Sequence, residues 1–257
     1  TEYRSGLLSS RGFMSFVVAF FNVASSNLPK KLEDVRLDYI GRAGRFLARH
    51  PLSIPGGIGI LGSSTGGQVA LAASVAFPDL IRAVVCVSGG TIHTGRHTML
   101  LADSSDCSSA PQDLSELSFR ERDGAMNTRG LWKHGVGPVR ENPYDIALWK
   151  SHAAYFFVTG CLDKVSPSHE MANRAVGILA ERGHPYPVYH CSAGGAGHLM
   201  YPHHIPFTDT LFHTAMQVVM EMGGRASQHA QSTLYAWKAA LQFLRTQLKF
   251  PSARSSL

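Results

Sequence analysis

No apolar run in the sequence approaches the roughly 20 residues that a bilayer-crossing helix needs, which argues against a helical span and leads us to expect a soluble chain. Its four cysteines, Cys86, Cys107, Cys161 and Cys191, contain no C-x-x-C spacing, which argues against a redox motif. Cys86 and Cys191 sit in apolar, strand-like runs and read as reduced, buried thiols of an intracellular protein. The 13 histidines include no H-E-x-x-H pair and no Cys/His ligand spacing, so no metal is expected. Lysines and arginines are scattered rather than striped and lack interleaved aromatics. The formal net charge of +6 therefore describes a mildly basic surface, and no nucleic-acid partner is expected. No internal repeat or domain boundary is visible. The first residue is threonine and no signal or transit segment precedes it, so we expect a piece of a longer chain.

What is present is the composition of an ordinary globular protein: 257 residues, 44% hydrophobic and 16% charged. That length suits one large domain. Apolar runs alternate with amphipathic segments. Residues 2–11 predict a helix stopped by Gly12, and the nearly continuous apolar run 13–21 predicts a buried strand. A polar loop spans 22–31, and residues 34–50 have helical spacing closed by Pro51. Strands are expected at 57–61, 83–88, 153–160 and 186–191, the last of these ending the sheet. Helices are expected at 67–77, 168–182 and 230–249. The βα alternation argues for a doubly wound, mostly parallel sheet. Residues 91–141 break the pattern and read as an irregular insertion: a lid, a binding loop or a less ordered excursion.

The chain is organised around residues 57–80. Here an isoleucine-rich run stops at Gly62-Ser63-Ser64-Thr65-Gly66-Gly67 and turns into an alanine-rich helix. With 25 glycines in the chain, G-x-S-x-G arises easily by chance, so its context carries the reading. Strand, tight turn and helix are the setting of a nucleophile elbow, in which Ser64 is presented at the carboxyl edge of the sheet. Gly62 and Gly66 are expected to flank a crowded backbone conformation, and Gly67 to let the helix approach the next strand.

A serine hydroxyl needs a base within hydrogen-bond reach and a third group that orients the base. Asp163, just past the strand at 153–160, and His198, just past the strand at 186–191, supply acid and base in the order Ser, Asp, His. Both would open onto the edge that carries Ser64. Asp163 has a second reading, as the cap of the helix that follows it. His198 lies in the glycine-rich loop 192–197, from which a ring can reach across a site. His190, on a strand, is expected to pack against the sheet. The Thr65 backbone N–H is one expected oxyanion-hole donor. The second normally comes from a loop between an earlier strand and the first helix, which here would precede Thr1. Each lost donor costs about 3 kcal/mol of transition-state stabilisation.

The motifs TEYRSGLLSSRGF, AFFN with LPKKLEDV, GSSTGGQ, SAGGAGH and HAQSTLYAWKAALQFL, in this order, resemble the carboxyl-terminal catalytic domain shared by type I acyl-CoA thioesterases and bile acid-CoA:amino acid N-acyltransferase. The resemblance covers nearly the whole chain, least clearly 91–141. It implies an α/β-hydrolase fold without its first strands, no cofactor, an acyl-CoA substrate and a β-sandwich domain upstream. It places Ser64, Asp163 and His198 at the nucleophile, acid and base positions. Serine rather than cysteine at the nucleophile implies hydrolysis of fatty acyl-CoA, with transfer to glycine or taurine, or a truncated inactive homologue, as the alternatives. This chain departs from the family in having Cys161-Leu162-Asp163 where two acidic residues often follow the glycine, and Thr65 where a basic residue is common. Ser255-Ser256-Leu257 resembles the S-K-L peroxisomal address without its lysine, so a peroxisomal or cytoplasmic location is expected.

Overall fold

The computed structural model describes residues 2–21, 27–30, 34–93, 110–200, 205–214 and 216–249. The elements in order are α1 (Glu2–Ser9), α2 (Leu37–Ala48), β1 (Ile58–Ser63), α3 (Thr65–Ala76), β2 (Ile81–Val87), β3 (Ser118–Phe119), β4 (Met126–Asn127), β5 (Ala154–Gly160), α4 (Ser168–Glu181), β6 (Val188–Ala193), β7 (Thr210–His213), β8 (Val218–Glu221) and α5 (Ala226–Gln247).

Strands β1, β2, β5 and β6 form a four-stranded sheet in that order, parallel throughout. Period-two alternation along the central strands feeds two cores. Ile81, Val84, Cys86, Tyr155 and Phe157 pack with α2, α3 and α4, whereas Ala83, Val85, Val87, Phe156 and Val158 pack with α5. Helix α3 is apolar around most of its circumference and is buried from Gly67 to Ser74, as a helix wedged under other elements must be. Burial pushes the Cys86 thiol up to about 12, and Cys86 and the half-buried Cys191 are both free. Cys107 and the terminal residues 250–257, with Ser255-Ser256-Leu257, lie outside the described residues.

Two expectations are corrected. Residues 13–20 form no strand, because they have no ladder partner among the described residues. They pass from one core to the other, with Phe13 against the α5 side, Val18 and Phe20 against the α2 and α3 side, and the Phe16 ring tilted at 47° to that of Phe46 with centroids 5.6 Å apart. The strand at 186–191 does not end the β-structure. Strands β7 and β8 follow it as an antiparallel pair, joining the two-residue strands β3 and β4 in a second sheet of order β3-β4-β8-β7. The region 91–141 thus supplies half the strands of that sheet; its residues 94–109 lie outside the described ones.

Candidate active site

At the carboxyl end of β1 the backbone turns sharply into α3. Ser64 sits at the corner with φ 54° and ψ −127°, a left-handed φ that costs a non-glycine residue about 1–3 kcal/mol. The corner is held by Ser64 N donating to Val87 O (2.8 Å) and by Ser64 O accepting from Gly67 N and Gln68 N (2.9 and 3.2 Å). A Cβ on Gly62 would lie 2.1 Å from Gly66 O, so the turn closes only over glycine. Gly67 brings α3 to within 3.0–3.1 Å, counted from an added Cβ, of Cys86 and Gly89 on and after β2. Gly66 differs from expectation: a Cβ there meets nothing within 4 Å, so the steric demand falls on Gly62 and Gly67.

Ser64 occupies the N-cap position of α3, yet its hydroxyl makes no capping bond. It is directed instead to His198 Nε2 at 2.9 Å, forgoing the stabilisation of about 1 kcal/mol that a serine cap supplies. His198 Nδ1 lies 2.9 Å from Asp163 Oδ2. A carboxylate only accepts, so Nδ1 carries the proton and Nε2 is left to accept from the Ser64 hydroxyl. His198 and Asp163 are 4% and 1% exposed, which keeps water from competing for these bonds, while Ser64 stays half-buried and reachable. The structure thus brings together the three side chains singled out in the sequence. The Thr65 N–H, first of α3, meets no acceptor among the described residues and forms part of the positive end of the helix dipole.

Asp163 does not cap α4, whose N-cap is Pro167 with no side-chain cap bond, but it holds the turn ahead of that helix. Its Oδ1 accepts from Val165 N and Ser166 N (2.9 and 3.0 Å), organising the turn before α4, while Oδ2 accepts from Ser168 Oγ (2.6 Å) as well as from His198. The histidine loop is anchored separately. His198 N donates to Met222 O (2.9 Å), and Gly197 N donates to His229 Nδ1 (3.1 Å). His229 Nε2 donates in turn to Leu199 O (2.9 Å), which fixes the ring as neutral; burial lowers its pKa in agreement. His190 packs on the sheet as expected, bonded to Thr159 Oγ1 and Asn173 Oδ1 at 2.7 and 3.0 Å, and burial, helped by His169, holds it down to about 4.

Ser168, His229 and Arg129, which binds Asp163 O at 2.9 Å, were not identified from the sequence. Only Ser168 left a signal, as a small polar residue five positions after the acid at a helix start; His229 and Arg129 reach the site from 30 or more positions away.

The family model described as "BAAT / Acyl-CoA thioester hydrolase C terminal" matches residues 35–250. Among curated relatives, mouse peroxisomal succinyl-coenzyme A thioesterase is 28% identical over 255 residues, covering 99% of this chain and 59% of that protein. Mouse bile acid-CoA:amino acid N-acyltransferase is 28% identical over 261 residues, covering 100% and 59%. Rat acyl-coenzyme A thioesterase 1 is 28% identical over 251 residues, covering 96% and 57%. The chain therefore spans about three fifths of the length of these relatives. With its parallel sheet, its serine elbow and a family model matched over most of its length, the chain belongs to the BAAT / acyl-CoA thioester hydrolase family, in the α/β-hydrolase fold.

Proposed function

We infer that this protein hydrolyses fatty acyl-CoA thioesters to free fatty acid and CoA. The observation that carries the reading is the continuous relay from Ser64 Oγ through His198 Nε2 and Nδ1 to Asp163 Oδ2, with 2.9 Å at each step, in a chain whose relatives include acyl-CoA thioesterases. In this mechanism His198 takes the Ser64 proton as Oγ attacks the thioester carbonyl, and Asp163 stabilises the imidazolium and holds its tautomer. The Thr65 N–H donates to the oxyanion as it forms. Collapse expels CoA thiolate, which receives the proton from His198. The same base then deprotonates a water that attacks the acyl-enzyme, releasing the fatty acid and restoring Ser64. None of these steps calls for a cofactor.

The test is release of CoA from a long-chain acyl-CoA by the full-length protein. Ser64→Ala should lower kcat by at least about 10³-fold. Turnover equal to that of the wild type would remove the reading.

A second reading, transfer of the acyl group to glycine or taurine, is favoured by the match to bile acid-CoA:amino acid N-acyltransferase, which is as extensive as the thioesterase matches. Mass spectrometry of reactions supplied with either amine separates the two, because a pure thioesterase yields no N-acyl product. An inactive homologue would leave Ser64 unlabelled by a fluorophosphonate probe. The reading includes a peroxisomal location, supported by the similarity to the mouse peroxisomal thioesterase. A fluorescent fusion confined to the cytosol would remove that part.

A further inference from the structure

The turn that carries Asp163 is held from two sides. On the inside, the N–H groups of Val165 and Ser166 point at the Asp163 carboxylate. On the outside, all four carbonyls of residues 163–166 are met by two adjacent residues of the irregular region, Thr128 and Arg129. Thr128 N and Arg129 N both donate to Lys164 O (3.2 and 3.1 Å), and Thr128 Oγ1 donates to Val165 O (2.8 Å). The Arg129 guanidinium donates through Nη1 to Asp163 O (2.9 Å) and Ser166 O (3.4 Å). Its Nη2 pairs with Glu170 in the first turn of α4, so one planar group ties the acid turn to the helix behind it.

We propose that Arg129 is a positioning residue for the acid of the relay: by bridging Asp163 O, Ser166 O and Glu170 it fixes the turn so that Asp163 Oδ2 stays on His198 Nδ1. This rests on the reading of Asp163 as the acid. Three acceptors in two directions need the rigid guanidinium fork; a lysine ammonium keeps the charge and can hold the Glu170 pair without spanning the carbonyls. Once the turn relaxes, the carboxylate moves off Nδ1 and the imidazolium loses its counter-charge.

Misplacement of a catalytic group by about 1 Å costs on the order of 100-fold in rate. In the full-length protein, Arg129→Lys and Arg129→Met should therefore lower kcat for acyl-CoA hydrolysis by about 10- to 100-fold, with KM within about twofold. The acid limb of the kcat/KM profile should move to lower pH, because a base without its carboxylate partner protonates less readily. Glu170→Gln, which leaves the turn's carbonyl contacts in place, should shift rate and limb the same way by less. It serves as the second variant if both Arg129 changes prevent folding. Independently of turnover, the low-field proton resonance of His198 Nδ1–H, assigned by its loss in Asp163→Asn, should be present in the wild type and lost in Arg129→Met.

A merely structural staple would lower the melting temperature but leave kcat, the acid limb and the resonance unmoved, and that result overturns the inference while the hydrolase reading stands. A rise in KM at unchanged kcat overturns it too, by making Arg129 a substrate contact. If Ser64→Ala retains full turnover, the hydrolase reading fails and the inference falls with it.

Discussion

At the scale of single residues, the elbow separates two glycines that look alike in the sequence. Gly62 has no room for a Cβ, whereas Gly66 lies in the first turn of α3 with open space around it. Gly62→Ala should destabilise the protein by about 1–3 kcal/mol or more, since the clash is with backbone that cannot swing aside. Gly66→Ala should stabilise it by about 0.5–1 kcal/mol through helix propensity. Urea midpoints at constant m-value would measure both, and a shift of the same sign in the two variants would contradict this account. Ser168 poses a subtler question, because its hydroxyl donates to the same carboxylate oxygen that receives His198 Nδ1. Removing a donor from a carboxylate leaves more negative charge for its other partner. Ser168→Ala should therefore move the acid limb of the kcat/KM profile to higher pH, opposite to the shift expected for Arg129→Lys. A limb that stays in place would show that the Ser168 bond does not tune the relay.

At the scale of elements, legibility in the sequence followed the range of the interactions involved. Strands β1, β2, β5 and β6 announce themselves as short apolar runs because they are covered on one or both faces, and the helices between them by local periodicity. The elbow was readable because strand, turn and helix are contiguous there. Residues 13–20 have the composition of a buried strand, yet only Phe13, Val18 and Phe20 reach the cores while Met14 and Phe16 are exposed, and composition cannot report whether a neighbour offers a hydrogen-bonding edge. Strands β7 and β8 are four residues each, and β3 and β4 only two. Their sheet exists through pairings such as Met126 with Met220, separated by most of the second half of the chain. No window along the sequence contains that information. The same holds for the acid turn, whose aspartate was visible from its place after a strand, while the Thr128 and Arg129 groups that fix it come from a stretch without periodicity.

At the scale of the whole molecule, histidines on separate elements link stability to pH in one direction. His190 on β6 is held down to about 4, first by burial and then by His169. His93, His184 and His229 are also lowered, each mainly by burial. In the unfolded chain such groups protonate near the ordinary histidine value of about 6.5. Between that value and the folded one the unfolded state binds more protons, so stability is fully present above about pH 6.5 and is lost as pH falls toward about 4. The melting temperature should accordingly be highest near or above pH 7 and decline through pH 5. Because the chain already carries a net charge of +6, added self-repulsion works in the same direction, and the wild-type slope alone cannot assign the effect to histidine. His190→Gln can. His190 donates from Nδ1 to Asn173 Oδ1 and accepts at Nε2 from Thr159 Oγ1. A glutamine amide offers one donor and one acceptor of its own and has no proton to gain in this range. The variant should melt below the wild type at pH 7 by no more than a few degrees, and the gap should close as pH approaches 5. Parallel melting curves across that range would mean that His190 does not contribute to the acid sensitivity of the fold.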